Sequence, residues 1–299
     1  MKWKGRRKSS NVEDRRGKSI NGRSTGGLNP MLFAPVLKFL FSKTGLIVAA
    51  ILILISVFTG FNPLNFLGNF FVGNDGQTVA TSAYESSEKE NLKAEFSATI
   101  LASTEDVWGN LIDNYEEPTL VLFSNQVSSA CGLTSSATGP FYCPGDNKLY
   151  LDLSFFQDME NTMAAPGDFA QAYVIAHEVG HHIQNLQGTM DRVNRLRGQL
   201  SEVEFNTYLV RLELQADFYA GVWANRSQKM NGLMEEGDLE EALNAASAIG
   251  DDRLQMQATG KVVPDAFTHG TSEQRVRWFK KGFDTGDISQ GNTFTTESL

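Results

Sequence analysis

Residues 44–61 read TGLIVAAILILISVFTGF, eighteen positions without a charge directly after Lys43. No other stretch so restricts what the chain can become, because a run of this length and polarity fits one membrane-crossing helix. The charge distribution points the same way. Residues 1–43 carry eleven Lys and Arg against two acids, while the whole chain has a net charge of -9, and basic residues are retained on the cytoplasmic side of a span. The sequence therefore predicts a single-pass anchor with the N-terminus inside and residues beyond about 65 outside. A cleaved signal peptide fits less well, since the basic region is long and no Ala-x-Ala site follows the apolar run. Such a charge run also suits a nucleic-acid arm, but its place beside the apolar run favours topology, and no nucleic-acid partner is expected. Residues 1–43 have almost no apolar positions before Met31, which predicts a basic, disordered tail.

Residues 62–91 read as a linker rich in Gly, Ser, Thr and Glu, and residues 92–299 as the folded domain. Helices are expected over 92–111, with Ser103 or Thr104 as a possible cap; over 168–187, capped by Asp168 and closed by Gly188; over 201–225, where Ser201 and Glu204 have capping-box spacing; and over 238–256 and 272–281. Residues 119–123 and 148–153 read as strands of one small sheet. The fold class is α+β, mainly helical. The two cysteines, Cys131 and Cys143, flank Gly132, Gly139 and Pro140. In an exported domain this pair is expected to form a disulfide rather than two thiols.

The chemistry concentrates in His177-Glu178-Val179-Gly180-His181. Histidines four apart leave one face of a helix and can reach one metal ion, while Glu178 between them is placed as general base and acid. HExxH also arises as an ordinary polar helix face, but a second pair raises its weight. Glu213 and Asp217 are again four apart, inside an otherwise apolar stretch where a buried charge needs a partner. A carboxylate ligand and a carboxylate that orients an imidazole are what such a centre requires. Small residues recur at Ala172, Ala176 and Gly180 and at Ala216, Ala220 and Ala224, which would let the two helices approach closely. His182 lies roughly 140° around the helix from His177 and is expected to pack or hydrogen-bond instead. His269, in a loop before a capped helix, is a candidate donor to an oxyanion.

These residues resemble zincin peptidases of the glutamate-ligand type, which include thermolysin. The chain is more closely similar, almost end to end, to the bacterial membrane-anchored family of neutral zinc metallopeptidases. The segments that carry the likeness are MKWKGRRKSSNVEDRRG, SACG, GPFYCPGDNKLYLD, HEVGHHIQN, ELQADFYAGVWA and FTHGTSEQRVRWF. The resemblance implies a zincin-like domain in which His177, His181 and Glu213 hold Zn2+, Glu178 is the catalytic acid and base, and Asp217 orients a ligand; His269 falls in a later motif. It also implies a protein or peptide substrate and a place at the outer face of the bacterial cytoplasmic membrane. An edge strand to hold an extended peptide follows too, either near 139–142 or within 148–153. Thirty-two residues separate His181 from Glu213, longer than expected of thermolysin, which leaves Glu202 and Glu204 as rival ligands. A zinc-binding scaffold with little turnover is the alternative function; a general base beside the metal argues against it.

Overall fold

The first helix begins earlier than the apolar periodicity indicates, because its start is set by side-chain capping. In the computed structural model, which describes residues 1–18, 84 and 86–299, Ser87 accepts from the Glu90 amide and the Glu90 side chain returns to Ser87, opening α1 (Glu88–Leu111). Ser103 and Thr104 are not caps but buried positions within that helix. Two parallel strands follow the expected pattern, β2 (Thr119–Phe123) beside β6 (Lys148–Asp152), with β5 (Phe141–Cys143) antiparallel on the far side of β6. Between β2 and β5, a hairpin of β3 (Gln126–Ser129) and β4 (Gly132–Ser135) forms a separate two-stranded sheet. The Cys131–Cys143 disulfide forms as expected and ties the turn of that hairpin to β5.

A short α2 (Phe155–Asn161) leads to α3 (Asp168–Leu186), which carries HEVGH. Gly167, not Asp168, is the N-cap of α3. After α4 (Thr189–Asn194), the Ser201–Glu204 capping box opens α5, which runs further than expected, over Glu202–Asn231. The single helix expected over 238–256 is two helices, α6 (Asp238–Ala248) and α7 (Asp251–Thr259). The break falls at Gly250, where a Cβ would lie on the Ser272 amide nitrogen. Last comes α8 (Ser272–Thr285), with a Thr271–Gln274 capping box. The described residues are thus α+β and mainly helical, with α3 packed against α1, α5 and α6.

Residues 1–18 overturn the expectation of a disordered tail. They belong to the same compact unit as the domain: β1 (Val12–Asp14) pairs in parallel with β2, and Trp3 packs edge-on against Phe96 in the core. Composition misleads here because the missing apolar surface and the opposite charges are supplied from elsewhere in the chain. Arg7 meets Glu105 at 2.8 Å and Asp106 at 2.7 Å, Lys8 meets Glu95 at 2.8 Å, and the Met1 ammonium lies 3.0 Å from Asp168 and 3.4 Å from Asp238.

Residues 1–18 and 86–299 share one sheet and one core. No described helix is long and apolar enough to cross a membrane; the apolar run at 44–61 and most of the 62–91 linker lie outside the described residues.

Candidate active site

Close helix packing brings the two motifs together. At Gly180 an added Cβ would come within 2.9 Å of the Ala216 carbonyl oxygen, so α3 and α5 touch nearly backbone to backbone where the small-residue stripes were expected to meet. The Glu213 carboxylate then reaches both imidazoles, 3.2 Å from His177 Nε2 and 3.4 Å from His181 Nε2. One ligand atom from each of the three lies within 4.8 Å of the other two. Two imidazole nitrogens and one carboxylate converging on a point make a three-ligand set of the kind that leaves a fourth position for water or substrate. The residues thus fit Zn2+. The rivals do not reach: Glu204 is engaged in the Ser201 cap, and Glu202 is exposed on the first turn of α5. A second acidic group, Asp168, Asp238 and Glu241, faces the Met1 ammonium and the Phe169 amide.

Each histidine is aimed by its own partner. Asp217 Oδ1 lies 2.8 Å from His177 Nδ1, and Gln184 Oε1 lies 2.9 Å from His181 Nδ1, which in each case leaves Nε2 toward Glu213. Asp217 is fully buried and also accepts from the Tyr173 hydroxyl at 2.5 Å and from the Arg275 guanidinium at 2.8 and 2.9 Å. Burial alone would favour a neutral Asp217 carboxyl, but Arg275 and His177 hold it ionised, below its usual range. For Glu213 too, burial opposes the charge and is outweighed, here by His181 and His177, which hold the carboxyl well below the ordinary value. The imidazoles move the other way: against the penalty of burial, Asp217 and Glu213 push His177 up to about 10, and Glu213 raises His181.

Glu178 points from the same helix into a cleft of about 460 Å³ that also opens on His177, His181, Glu213 and His269. His269, on the loop before α8, is about half exposed; its Nδ1 lies 3.2 Å from Asp251 Oδ1, and that carboxylate raises its pKa. Asp251 Oδ2 also accepts the backbone amides of Thr268 and His269, which fixes the loop. Apolar side chains, among them Phe141, Phe155, Met163, Val174 and Leu254, form much of the remaining wall.

The sheet settles which strand faces the cleft. β6 is interior, paired on both sides, while β5 has no partner on its outer side among the described residues, and Phe141 and Tyr142 line the cleft. His182 holds this edge in place, as a packing and hydrogen-bonding residue: its ring contacts the Tyr142 hydroxyl at 3.0 Å and the Glu116 carbonyl at 2.6 Å. Sequence reasoning missed Tyr173, Gln184, Asp251 and Arg275. Two of these had a signal. Gln184 is three residues beyond His181, and Arg275 shares a helix face with Trp278, Phe279 and Gly282, so its charge had to be buried.

The chain is 47% identical over 298 residues to the uncharacterized protein YpfJ of Escherichia coli K12, covering 98% of this chain and 99% of that protein. It is 42% identical over 208 residues to the uncharacterized protein Rv2575 of Mycobacterium tuberculosis, covering 66% of this chain and 69% of that one. No solved structure matches. A family model described as "Putative neutral zinc metallopeptidase" matches residues 1–294, and with a match over nearly its whole length the chain belongs to that family.

Proposed function

We propose that this protein is a zinc-dependent peptidase of the zincin class, with His177, His181 and Glu213 holding Zn2+. The observation that carries the reading is the convergence of both Nε2 atoms on the Glu213 carboxylate at 3.2 and 3.4 Å, with Glu178 in the same cleft. When bound, the ion supplies Lewis-acid polarisation of the peptide carbonyl and activation of water. The protein supplies the rest. Glu178 takes the proton from the attacking water and delivers it to the leaving amine. His269, whose protonated form the Asp251 carboxylate favours, donates to the oxyanion that forms on the carbonyl. The free edge of β5 takes an extended peptide by adding a strand, and the apolar wall receives its side chains.

The test uses the full chain, because residues 1–18 contribute a strand and core contacts. Zinc content and hydrolysis of an unfolded protein mixture are measured for wild type, Glu178→Gln and Glu213→Ala. One zinc with cutting in wild type, zinc without cutting in Glu178→Gln, and loss of zinc in Glu213→Ala are expected. A wild type that binds no zinc overturns the assignment of the ligands; zinc without hydrolysis of any protein tried favours a scaffold. If residues 44–61 attach the protein to the bacterial membrane, residues 86–299 return to the side of residues 1–18, and labels placed near the two chain ends are expected to react from the same side.

A further inference from the structure

We infer that Arg275 is a positioning residue of the metal centre: it fixes the Asp217 carboxylate that aims His177, and it offsets that carboxylate's charge. The inference rests on the ligand set proposed above. Its basis is the guanidinium's geometry. Arg275 is buried on α8, and its Nε and Nη2 donate to Asp217 Oδ2 at 2.8 Å and Oδ1 at 2.9 Å, a two-pronged contact that fixes the plane of the carboxylate. Two further N–H groups also have protein acceptors. Nη2 reaches the Tyr173 hydroxyl at 3.3 Å, and Nη1 donates to the Ile249 carbonyl at 3.2 Å. Arg275 borders the cleft, but it is buried and four of its five N–H groups have protein acceptors.

The consequence for His177 follows from donor and acceptor identities. Asp217 Oδ1 receives the Tyr173 hydroxyl, the Arg275 Nη2 group and the His177 ring together. Both Asp217 oxygens accept from Arg275, and Oδ1 also from Tyr173, so the carboxylate is the acceptor in the contact with His177 Nδ1 and Nε2 is left to ligate. Without Arg275, Asp217 would stand as an uncompensated buried anion 2.8 Å from a ligand ring. Nothing would then fix the plane of that carboxylate against the ring. With Arg275, the carboxylate orients the ring while the pair adds no net charge beside the ion.

Helix docking does not explain the residue. α5 and α8 touch at two glycines: a Cβ on Gly221 would fall on the Phe279 carbonyl oxygen, and one on Gly282 on the Phe218 carbonyl oxygen. That contact needs no guanidinium. A buried ion pair is moreover often matched or surpassed in stability by apolar side chains of similar volume, so stability alone gives no reason to keep one here.

The experiment is a double-mutant cycle in the full chain with Arg275→Met, Arg275→Lys, Asp217→Asn and Asp217→Asn/Arg275→Met. The readouts are zinc affinity, by competition with a chelator, and the visible spectrum of the cobalt-loaded protein. Arg275→Met is expected to weaken zinc by roughly 10- to 100-fold and to change the cobalt bands, with Arg275→Lys restoring part of both. In the Asp217→Asn background, adding Arg275→Met is expected to change affinity little, because the partner through which it acts is gone. Wild-type affinity and spectrum in Arg275→Met, or losses that multiply in the double variant, overturn the inference. Should Arg275→Met fail to fold, Asp217→Asn is compared with the double variant, in which both buried charges are removed, and a further large loss there overturns it equally. Failure of wild type to bind zinc would overturn the ligand set and this inference together, whereas zinc bound equally by wild type and Arg275→Met overturns this inference alone.

Discussion

Two regions of the cleft wall are built to different standards. On the helical wall, His177, Glu213, Asp217 and Arg275 are packed between α3, α5 and α8, and Asp217 Oδ1 alone accepts three hydrogen bonds. Elsewhere on the cleft wall, His269 is about half exposed on a loop and has one carboxylate partner at 3.2 Å. The contrast separates two demands. An ion needs several ligands held to fractions of an ångström before it arrives, whereas a donor to a transient oxyanion needs the right charge and freedom to meet a substrate of variable shape.

The sharpest way to break this division is to exchange its consequences. Glu213→Ala is expected to abolish zinc binding and turnover together, as judged by metal content after dialysis; retained stoichiometric zinc would mean the helical wall is not the metal wall. His269→Phe is expected to lower kcat by about 10²- to 10³-fold with zinc content unchanged. Zinc lost from His269→Phe would make His269 part of the metal centre and erase the distinction.

Smaller effects follow from protonation. In the metal-free protein the carboxylates hold His177 up to about 10, so at neutral pH an ion that takes Nε2 must expel a proton. Zinc affinity is therefore expected to rise with pH, by up to roughly tenfold per unit for each proton displaced; calorimetry in buffers of different ionisation enthalpy reads the release. An affinity flat between about pH 6 and 8 would contradict the charges assigned to the helical wall. The smallest effect concerns the loop. Asp251 raises His269 above its ordinary 6.5, so activity that needs the protonated ring persists above that pH and falls as pH rises through the raised value. In Asp251→Asn the alkaline limb of kcat is expected to move down in pH. A limb that stays in place would show that another group sets it.

What the sequence made legible divides along similar lines. His177, Glu178, His181, Glu213 and Asp217 could be paired in advance because helical periodicity fixes which residues share a face, and the small-residue stripes indicated how near the helices come. The groups that complete the site come from separate elements, Asp251 from the start of α7 and Arg275 from α8, and no local period connects those to HEVGH. The N-terminal segment was misread for a related reason. Its composition suggested a chain that cannot fold, yet Arg7 and Lys8 find their counter-charges in α1. A charge imbalance between two stretches of one chain has two uses, facing a membrane or facing each other, and composition does not distinguish them.

The pairing of β1 with β2 also has a bearing on time. Val12–Asp14 is synthesised about a hundred residues before Thr119–Phe123, so at ~5–20 residues per second the first strand waits on the order of 5 to 20 s for its neighbour. Contacts so distant along the chain form after the local ones, since the intervening length must be closed first. β1 is accordingly expected to join the sheet last. Interactions absent from the folding transition state govern how fast a protein comes apart, so substitutions at Val12 are expected to accelerate unfolding and leave the folding rate nearly unchanged. The strand made earlier thus serves as the latch on the one made later.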